Sequence, residues 1–585
     1  MREVWNMKVV FLGVVLVGLV SLRTLGARPL VERTAADGLD FGFDQKGEDG
    51  GVLVVRGLKP GRYRLLKDGY PAGVWRADEF ATGIDLDKIE PLPGGAGKPK
   101  SYRLTLKPVI AIGVDSLLPK PRKMTVSDGH LSLSAGGLDA LNVVTETDSS
   151  IPPEGYCLQV GSNGVRIASS DAAGAFYARQ TLEQLIGGDG ATLPFVEIED
   201  APAYRWRGLL IDEARHFIGF AAVKRLIDQM AKYKFNVLHW HLTDDTGWRL
   251  EIKSKPRLLS VGAVRPWSTV RFRRGEEDGV CYGPYYYTQK EAKEIVAYAA
   301  ARHITVVPEI EFPGHSIAAI AAYPELSCLG ESSPVKYPYQ PFTGKPDVLC
   351  PGKDATIRFL EDVLDELCEI FPSKMIHIGG DECVKESWKS CPHCQARMKA
   401  NGLGNVEELQ GWMTRHFADY LASKGRRAIG WDEILEGGSI NNATVMSWRG
   451  VKGGIAAVMS GHETVMTPCA YCYYDYGQGL EDDPYEYIGG RITLEQAYSF
   501  DPVEGIPIDR RGFVLGGQAN NWGEYTFNEY DLSWKLWPRA LALAEVLWTA
   551  PAVRDYFAFA VRARIHRKRL VSEGVNAAPC DHDLR

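Results

Sequence analysis

The chain has 585 residues, of which 45% are hydrophobic and 24% are charged, the profile of a soluble globular protein. Because this length exceeds one ordinary domain, we expect two or three domains. The net charge of −7 and the isoelectric point near 6.0 argue against a nucleic-acid partner.

The N-terminus has the layout of a secretory signal. Arg2 and Lys8 precede an apolar run from Val9 to Leu22, and small residues follow. We therefore predict a signal peptide over residues 1–27 and export to the periplasm, the cell surface or the medium. The run is shorter than the roughly 20 apolar residues that a membrane span needs, so an uncleaved anchor is the weaker alternative.

Two small domains are predicted before residue 203. Residues 28–110 are rich in glycine and turns, and short alternating segments such as Val52–Val55 indicate a small β-rich module. Residues 111–202 mix strands with one helix, predicted over Ala172–Ile186 from apolar residues at three-to-four spacing, which indicates an α+β domain.

Strands and helices alternate over residues 203–570, and residues 571–585 are predicted to be a tail. The candidate strands are Gly208–Ile211, Asn236–Leu242, Ile304–Ile310, Met375–Ile378, Ala428–Trp431, Thr444–Trp448, Thr464–Thr467 and Phe513–Gly517. The helical segments that separate most of them are Phe220–Lys232, Lys290–Arg302, Ala355–Phe371, Val406–Lys424 and Leu532–Thr549. Eight such repeats are typical of an α/β fold, the (β/α)8 TIM barrel, in which catalytic groups follow the strands.

Residues with catalytic or sugar-binding chemistry follow all eight predicted strands. In strand order they are Asp212 and Arg215; His241, Asp244 and Asp245; Glu309, Glu311 and His315; Asp381 and Glu382; Trp431, Asp432 and Glu433; Trp448 and Arg449; Tyr473 and Asp475; and Trp522 and Glu524. Any one of them could be structural. The same residue classes at all eight strand ends favour a single site.

The pair Asp381-Glu382 is the most informative of these. It ends the segment MIHIGGDE, in which an apolar run opens into two glycines and then two adjacent carboxylates. Neighbouring side chains of an extended backbone point to opposite sides, so the two acids can take different environments and roles. In isolation, the favoured interpretation of GGDE would be an Asp-Glu pair at a solvated loop start that caps the following helix.

Eleven cysteines leave at least one thiol unpaired whatever disulfides form. Cys391 and Cys394 have the CxxC spacing of redox and zinc sites, and Cys469 and Cys472 repeat it in another segment. Because no second CxxC or histidine pair with finger-like spacing accompanies Cys391-Pro-His-Cys394, we favour a disulfide or packed thiols over metal or redox catalysis.

Together the motifs resemble glycoside hydrolase family 20, the β-N-acetylhexosaminidases. The matching barrel segments are residues 207–217, 236–249, 306–316, 376–382, 430–435, 446–450 and 516–525, and residues 118–126 and 172–185 resemble the family's N-terminal α+β domain. The resemblance covers about residues 115–570, and the first β-rich module lies outside it.

The resemblance implies an exo-acting, retaining enzyme whose substrate supplies its own nucleophile. The carbonyl oxygen of the 2-acetamido group attacks the anomeric carbon and forms an oxazolinium intermediate. Glu382 would be the general acid and then the base, while Asp381 would orient the acetamido group and stabilise its developing positive charge. Two alternatives remain, namely a sugar-binding protein without activity and a hydrolase with a protein nucleophile.

The resemblance also implies roles for nine supporting residues. Arg215 would bind hydroxyls at the non-reducing end, and Asp244 and His315 would support the general acid. Tyr473 would contact the acetamido carbonyl and Asp475 a sugar hydroxyl, while Trp522 would form the pocket wall and Glu524 would accept a second hydroxyl. Trp431 and Trp448 would enclose the acetamido methyl. Two positions depart from the family: Glu311 where Asp is frequent, and Thr246 where Gln is common.

The predicted partner is an oligosaccharide or glycoconjugate with a terminal non-reducing GlcNAc or GalNAc. No metal or organic cofactor is implied. The natural glycan and the oligomeric state are not legible from the sequence.

Overall fold

The computed structural model describes residues 110–580 except 134–136, 139–140, 188–189, 272, 332–333, 339–346 and 481–482, together with the strands and a few other residues between 22 and 108. Most of the predicted signal peptide, residues 1–21, lies outside the described residues. Among the described residues, no helix is both long and apolar enough to cross a bilayer.

The N-terminal module contains two four-stranded sheets. In strand order, one joins Leu22–Leu25, Arg28–Thr34, Val52–Arg56 and Ile84–Asp85, and its first strand lies within the predicted signal peptide. The other joins Asp40–Asp44, Ser101–Pro108, Arg62–Lys67 and Tyr70–Arg76. Leu53, Val55, Leu104 and Leu106 are buried. The predicted β-rich character of this module is confirmed.

The second domain is a five-stranded sheet with one helix. Its strand order is Val143–Thr147, Gly164–Ser169, Tyr156–Gly161, Thr192–Asp200 and Lys123–Ser132. The helix Ala172–Leu185 begins at Asp171, whose side chain accepts a hydrogen bond from Gly174 N–H at 2.8 Å. Its apolar face packs on the sheet through Tyr177 and Leu182, which are almost fully buried.

Eight parallel strands close into a barrel, as predicted. They are Trp206–Asp212, Val237–His241, Thr305–Glu309, Met375–His377, Arg427–Trp431, Ala443–Ser447, Thr464–Met466 and Val514–Asn521. The eighth strand pairs with the first from Gly516 opposite Trp206 to Asn521 opposite Ile211. It is four residues longer at its carboxyl end than predicted, so Trp522 follows it directly.

Helices connect most barrel strands. They are Phe220–Lys232, Gln289–Ala300, Ile317–Ala322, Asp354–Ile370, Glu386–Ser390, Pro392–Ala400, Val406–Ser423, Val451–Met459, Cys469–Cys472, Leu494–Tyr498, Glu529–Leu536, Arg539–Trp548 and Tyr556–Ser572. Only the short 3-10 helix Asp432–Leu435 lies between the fifth and sixth strands. The prediction of a single helix over Leu532–Thr549 is wrong. The structure has two helices there, Glu529–Leu536 and Arg539–Trp548. The first helix ends at Leu536 because Pro538 has no N–H to continue the helical hydrogen bonds.

The last helix extends beyond residue 570, and the chain after it packs on the barrel. Ala578 N–H donates to Trp537 O at 3.0 Å, and Arg567 Nε donates to Ala578 O at 2.9 Å. Cys580 is fully buried. Part of the segment predicted as a tail therefore belongs to the barrel's outer layer.

A buried ion pair joins the α+β domain to the barrel. Asp200 Oδ2 lies 3.2 Å from Lys234 Nζ and accepts hydrogen bonds from Tyr156 and from the indole of Trp548, both at 2.8 Å. The Asp200 and Lys234 side chains are almost completely buried, at 0% and 1% exposure. Removing one charge would leave the other without a partner in a site that excludes water.

We therefore expect Asp200→Asn to lower the free energy of unfolding by about 3–5 kcal/mol, measured by urea denaturation. The control is Glu199→Gln on the same strand, which breaks the exposed ion pair with Lys123. Exposed pairs contribute about 0–1 kcal/mol, so the control should be nearly neutral. Equal small effects in both variants would mean that the buried pair does not stabilise the domain junction.

Candidate active site

Arg215 is fixed by carboxylates that follow three different barrel strands. Its guanidinium lies 2.9 Å from Asp212 Oδ2, 2.8 Å from Asp244 Oδ2 and 3.9 Å from Glu524 Oε1. It also lies 5.3 Å from the ring centroid of Trp522. Burial would lower the pKa of Arg215, but Asp244 and Asp212 outweigh burial and raise it well above its usual value. A cation held this firmly presents donors in a fixed direction.

Glu309, at the end of the third strand, is the centre of a buried cluster. Its carboxylate lies 2.5 Å from His241 Nδ1, 3.1 Å from His239 Nε2 and 2.8 Å from His377 Nδ1. The indole N–H of Trp431 donates to it at 2.9 Å. Burial opposes charge on these groups, but Glu309 outweighs burial at His241 and raises the pKa of that histidine to about 10. The cluster thus forms a buried layer of charged groups in the barrel interior.

The network of charged groups continues from the Glu309 cluster to the residues that follow the carboxyl ends of the barrel strands. His241 Nε2 lies 3.1 Å from Asp244 Oδ2, and Asp244 Oδ1 lies 3.6 Å from His315 Nδ1. The other nitrogen of His315 lies 3.7 Å from Asp381 Oδ2 and 3.4 Å from Glu382 Oε2. Burial would lower the pKa of His315, but Asp244 and the acid pair raise it well above its usual value. A protonated His315 therefore bridges the two acids.

The backbone before the acid pair requires glycine. Gly379 has a φ of 66°, and a Cβ there would lie 1.9 Å from Glu311 Oε1. Gly380 has a φ of 103° and donates its N–H to Glu311 at 2.9 Å. Glu382 itself has a φ of 44°, a strained value for a residue with a side chain. This turn sends the side chains of Asp381 and Glu382 into different surroundings.

The two acids differ in exposure and in pKa. Asp381 has 13% of its side chain exposed, and burial raises its pKa. Glu382 has 62% of its side chain exposed, and the contact with His315 lowers its pKa. Beside them, burial and then the charges of Asp381 and Glu309 raise the pKa of Glu311 well above its usual range. A neutral Glu311 places a carboxyl next to Asp381 without adding another negative charge.

Aromatic rings form the opposite side of the site. Trp448 stacks on Tyr473 with centroids 6.0 Å apart, and Tyr473 lies 6.2 Å from Trp522. The Trp448 indole donates to Glu433 at 3.0 Å, and burial raises the pKa of that carboxyl to about 8. Trp431 is only 1% exposed and lies 5.6 Å from Trp522. These rings offer an apolar wall of the kind that covers sugar faces.

Several buried carboxylate oxygens find no hydrogen-bond partner among the described residues. They are Glu311 Oε2, Asp381 Oδ1, both oxygens of Asp475, and Glu524 Oε2. Burial, followed by the charge of Glu524, raises the pKa of Asp475 well above its usual range. An unpaired buried acceptor is costly, so these oxygens are candidates to accept hydrogen bonds from a ligand's O–H and N–H groups.

Each of the eleven predicted site residues interacts with at least one other, and these contacts connect the whole set. The chain of contacts runs from Asp381 and Glu382 through His315, Asp244 and Arg215 to Glu524 and Trp522, and from Trp522 to Tyr473, Trp448 and Trp431. Asp475 is linked to the set electrostatically, because the charge of Glu524 helps to raise the pKa of Asp475. The predicted residues at the eight strand ends therefore lie in one connected cluster.

The strand-end positions of Asp212, Glu309 and Glu433 were predicted, but their supporting role was not. Asp212 holds Arg215, Glu433 holds Trp448, and Glu309 holds three histidines, of which His239 and His377 were not predicted as site residues. The alternation in the second strand, VLHWH, was a usable signal, because His239 and His241 two positions apart must face the same side.

Four groups within the site have the composition of a metal site. They are His239, Glu309 and His377; His241, Glu309 and Glu311; Asp244, Asp245 and His315; and His315, Asp381 and Glu382. Each histidine already contacts an acid directly, at 2.5–3.1 Å around Glu309 and 3.4–4.0 Å around His315. None of these arrangements calls for a metal ion.

Comparison with known proteins agrees with this geometry. Residues 204–551 match the catalytic domain of glycosyl hydrolase family 20, and residues 132–201 match domain 2 of the same family. A β-hexosaminidase of Porphyromonas gingivalis is 43% identical over 85% of this chain, which spans 65% of that relative's length. A β-hexosaminidase of Vibrio furnissii is 36% identical over 83% of this chain and 84% of its own.

Solved structures lead to the same family. The exo β-N-acetylglucosaminidase of Vibrio harveyi, in complex with N-acetylglucosamine, is 30% identical with a TM-score of 0.72, over 80% of this chain and 79% of that chain. A Streptomyces plicatus β-hexosaminidase in complex with GlcNAc as product is 28% identical with a TM-score of 0.67, over 80% and 97% of the two chains. The chain therefore belongs to glycosyl hydrolase family 20 and is a glycoside hydrolase of the β-hexosaminidase type, as its motifs predicted.

Proposed function

We propose that this chain is an exo-acting, retaining β-N-acetylhexosaminidase that releases terminal GlcNAc or GalNAc through an oxazolinium intermediate. The observation that carries this proposal is Asp381 Oδ1, a buried acceptor without a partner among the described residues, next to the proton-transfer group Glu382. An acetamido N–H is the donor that would satisfy this oxygen while leaving the acetamido carbonyl free to react.

In the first step, Asp381 accepts the acetamido N–H and holds the carbonyl oxygen near the anomeric carbon. That oxygen attacks the carbon, the glycosidic bond breaks, and Glu382 donates its proton to the leaving oxygen. Attack by a group already attached to the sugar replaces a bimolecular encounter. The carboxylate of Asp381 then stabilises the positive charge on the oxazolinium ring.

In the second step, Glu382 has become a base and takes a proton from water. The water oxygen bonds to the anomeric carbon, and the carbon–oxygen bond of the oxazolinium ring breaks, which restores the acetamido group. Each step inverts the anomeric centre, so the product retains the configuration of the substrate. Glu382 regains its proton for the next turnover.

Substrate binding would draw on the rest of the site. Arg215, Asp475 and Glu524 present fixed donors and unpaired acceptors that suit the hydroxyls of one sugar. Trp448, Tyr473 and Trp522, with Trp431 behind them, suit the acetamido methyl and the sugar face. The GlcNAc in the Vibrio harveyi and Streptomyces plicatus structures supports an N-acetylated sugar here.

The pKa directions bear on how the acid works. A general acid must be protonated, yet His315 lowers the pKa of Glu382 while 62% of that side chain is exposed. A leaving sugar over Glu382 would exclude water, and burial raises the pKa of a carboxyl. Substrate binding thus prepares the acid, and removal of the His315 charge would change the pH profile.

We expect His315→Asn to move both limbs of the kcat/KM pH profile to higher pH. The charge of His315 lowers the pKa of both Asp381 and Glu382. Without that charge, Asp381 ionises at higher pH, which moves the acidic limb up, and Glu382 stays protonated to higher pH, which moves the alkaline limb up.

The measurement is kcat/KM for an aryl GlcNAc over the pH range, with His130→Asn, an exposed histidine in the α+β domain, as the control. The control profile should match that of the unaltered protein. Limbs that stay in place in His315→Asn, or move to lower pH, would contradict the proposed role of His315.

Two experiments separate this function from its alternatives. An N-acetyl thiazoline inhibitor resembles the cyclised intermediate and should block hydrolysis only if the acetamido group is the nucleophile. A screen of p-nitrophenyl GlcNAc, GalNAc and Glc should show rapid release from the first two. Rapid release from Glc without thiazoline inhibition would indicate a protein nucleophile, and binding without release would indicate a sugar-binding protein.

We also propose that the chain is exported. The basic and apolar segment before residue 28 supports this proposal. Expression of the full gene in a bacterial host, followed by fractionation and N-terminal sequencing, tests it. Activity outside the cytoplasm on a chain that begins near residue 28 is expected, and a full-length cytoplasmic product would oppose it.

A further inference from the structure

Four cysteines from two separate segments come together beside the active site. Cys328 and Cys350 follow the third barrel strand, while Cys391 and Cys394 follow the fourth. Their sulfurs all lie within 4.8 Å of one another. Cys394 Sγ lies 3.6 Å from Cys328 Sγ and 3.5 Å from Cys350 Sγ, and Cys350 Sγ lies 3.7 Å from Cys391 Sγ.

This spacing is that of a tetrathiolate metal site. In a tetrahedral site with Zn–S bonds of about 2.3 Å, the sulfurs are about 3.8 Å apart. A disulfide requires about 2.05 Å between sulfurs and joins them only in pairs. Here Cys350 and Cys394 each contact two other sulfurs, and all the cysteines of the described residues are free thiols.

The surroundings match a closed structural site. Cys350, Cys391 and Cys394 are buried in a small apolar cluster with Trp388 and Met398. Four sulfurs leave no open coordination position, which excludes a role in hydrolysis for a bound metal.

Two basic side chains, Lys353 and Arg397, lie near the four cysteines. Lys353 Nζ donates to Ser327 O at 2.5 Å, and Arg397 donates to Gly352 O at 3.3 Å. Both cations are therefore fixed on the backbone next to metal-ligand positions. A zinc ion with four thiolates carries a net charge of about −2, and Lys353 would offset part of it, whereas Arg397 is already paired with Asp354 at 2.5 Å.

We propose that Cys328, Cys350, Cys391 and Cys394 form a structural zinc site that joins the loop after the third barrel strand to the segment after the fourth. The partners of the CxxC pair Cys391 and Cys394 are Cys328 and Cys350, which lie far away in the sequence, so the site needs no second CxxC beside the first.

The site would stiffen the acid-bearing segment. Leu349, next to Cys350, donates its N–H to Pro313 O at 3.0 Å, close to His315. The Leu349 carbonyl in turn accepts the indole N–H of Trp388 at 3.0 Å, six residues after Glu382. Close packing of Gly352 against Cys394, where a Cβ would lie 2.3 Å from the backbone nitrogen, leaves little freedom between the segments.

The test is metal analysis of the full chain, purified without chelator from cells grown with zinc. Elemental analysis and native mass spectrometry should give about one zinc per chain, and a mercurial that attacks thiols should release it. Cobalt-substituted protein should show the intense visible absorption of a tetrahedral tetrathiolate. Cys391→Ser should abolish zinc binding, and the matched control Cys281→Ser, at an exposed cysteine, should retain it.

Cys328→Ser provides a second variant in case Cys391→Ser fails to fold, because Cys328 is only partly buried. It should weaken zinc retention and lower the melting temperature more than Cys281→Ser does. Absence of zinc, with either two disulfides in the mass spectrum or four free thiols that do not take up added zinc or cobalt, would overturn the proposal. Hydrolytic activity is not a readout of this test, so it does not depend on the proposed function.

Discussion

Glu382→Gln should lower kcat/KM for GlcNAc substrates with poor leaving groups by about 10²–10⁴-fold, because a general acid supplies acceleration of that order. Glutamine preserves the size of the side chain but cannot donate an acidic proton. The side chain is 62% exposed, so the folded state should keep its melting temperature. Substrates with good leaving groups need less protonation and should lose less in the first step.

The measurement is kcat/KM for aryl GlcNAc substrates that differ in leaving-group pKa. Glu386→Gln is the control, since Glu386 is exposed, lies four residues after Glu382 and pairs with Lys389 in an exposed contact. The control should behave like the unaltered protein. Turnover near the original rate in Glu382→Gln on poor leaving groups would remove Glu382 from the role of acid.

Asp381→Asn should reduce the rate on 2-acetamido substrates by about 10²–10³-fold, the cost of losing one electrostatic contact to a transition state. Asparagine keeps the shape of the side chain but has no negative charge to stabilise the oxazolinium. If its NH₂ group faces the acetamido N–H, no hydrogen bond forms, because both groups are donors. Asp381 Oδ1 has no partner among the described residues, so this change breaks no bond to that oxygen within the protein.

Binding of the thiazoline inhibitor provides the second readout for Asp381→Asn. Because the inhibitor resembles the cyclised intermediate, its affinity should fall along with kcat/KM. A variant that binds the thiazoline as tightly as the unaltered protein, or that loses rate only through an altered KM, would show that Asp381 does not stabilise the intermediate.

Much of the site was predictable because, in a closed barrel, the order of the strands along the chain fixes which strand ends are neighbours. Once eight strands were recognised, each polar or aromatic residue that follows a strand was assigned to one rim. Arg215 and Glu524 are more than 300 residues apart in the sequence, yet their charged groups are 3.9 Å apart because the first and eighth strands are neighbours. The order of the strands therefore predicted which residues, distant in the sequence, lie close together in the folded protein.

The parts that were not predicted depend on contacts that no local pattern encodes. Glu309 faces the barrel interior, where its partners His239 and His377 come from the strands on either side, and only the closed sheet brings them together. In the same way, Cys328 and Cys350 meet Cys391 and Cys394 across 41–66 residues, through loops whose course the sequence did not reveal. Spacing rules detect ligand pairs within one turn and miss partners that the fold supplies.

The most direct test of substrate assistance is a series of aryl GlcNAc analogues whose N-acetyl group carries no, one, two or three fluorine atoms. Fluorine withdraws electrons from the carbonyl oxygen and weakens it as a nucleophile. If that oxygen attacks the anomeric carbon, kcat/KM should fall steeply and steadily along the series. Equal kcat/KM values across the series would contradict the mechanism and return the nucleophile to the protein.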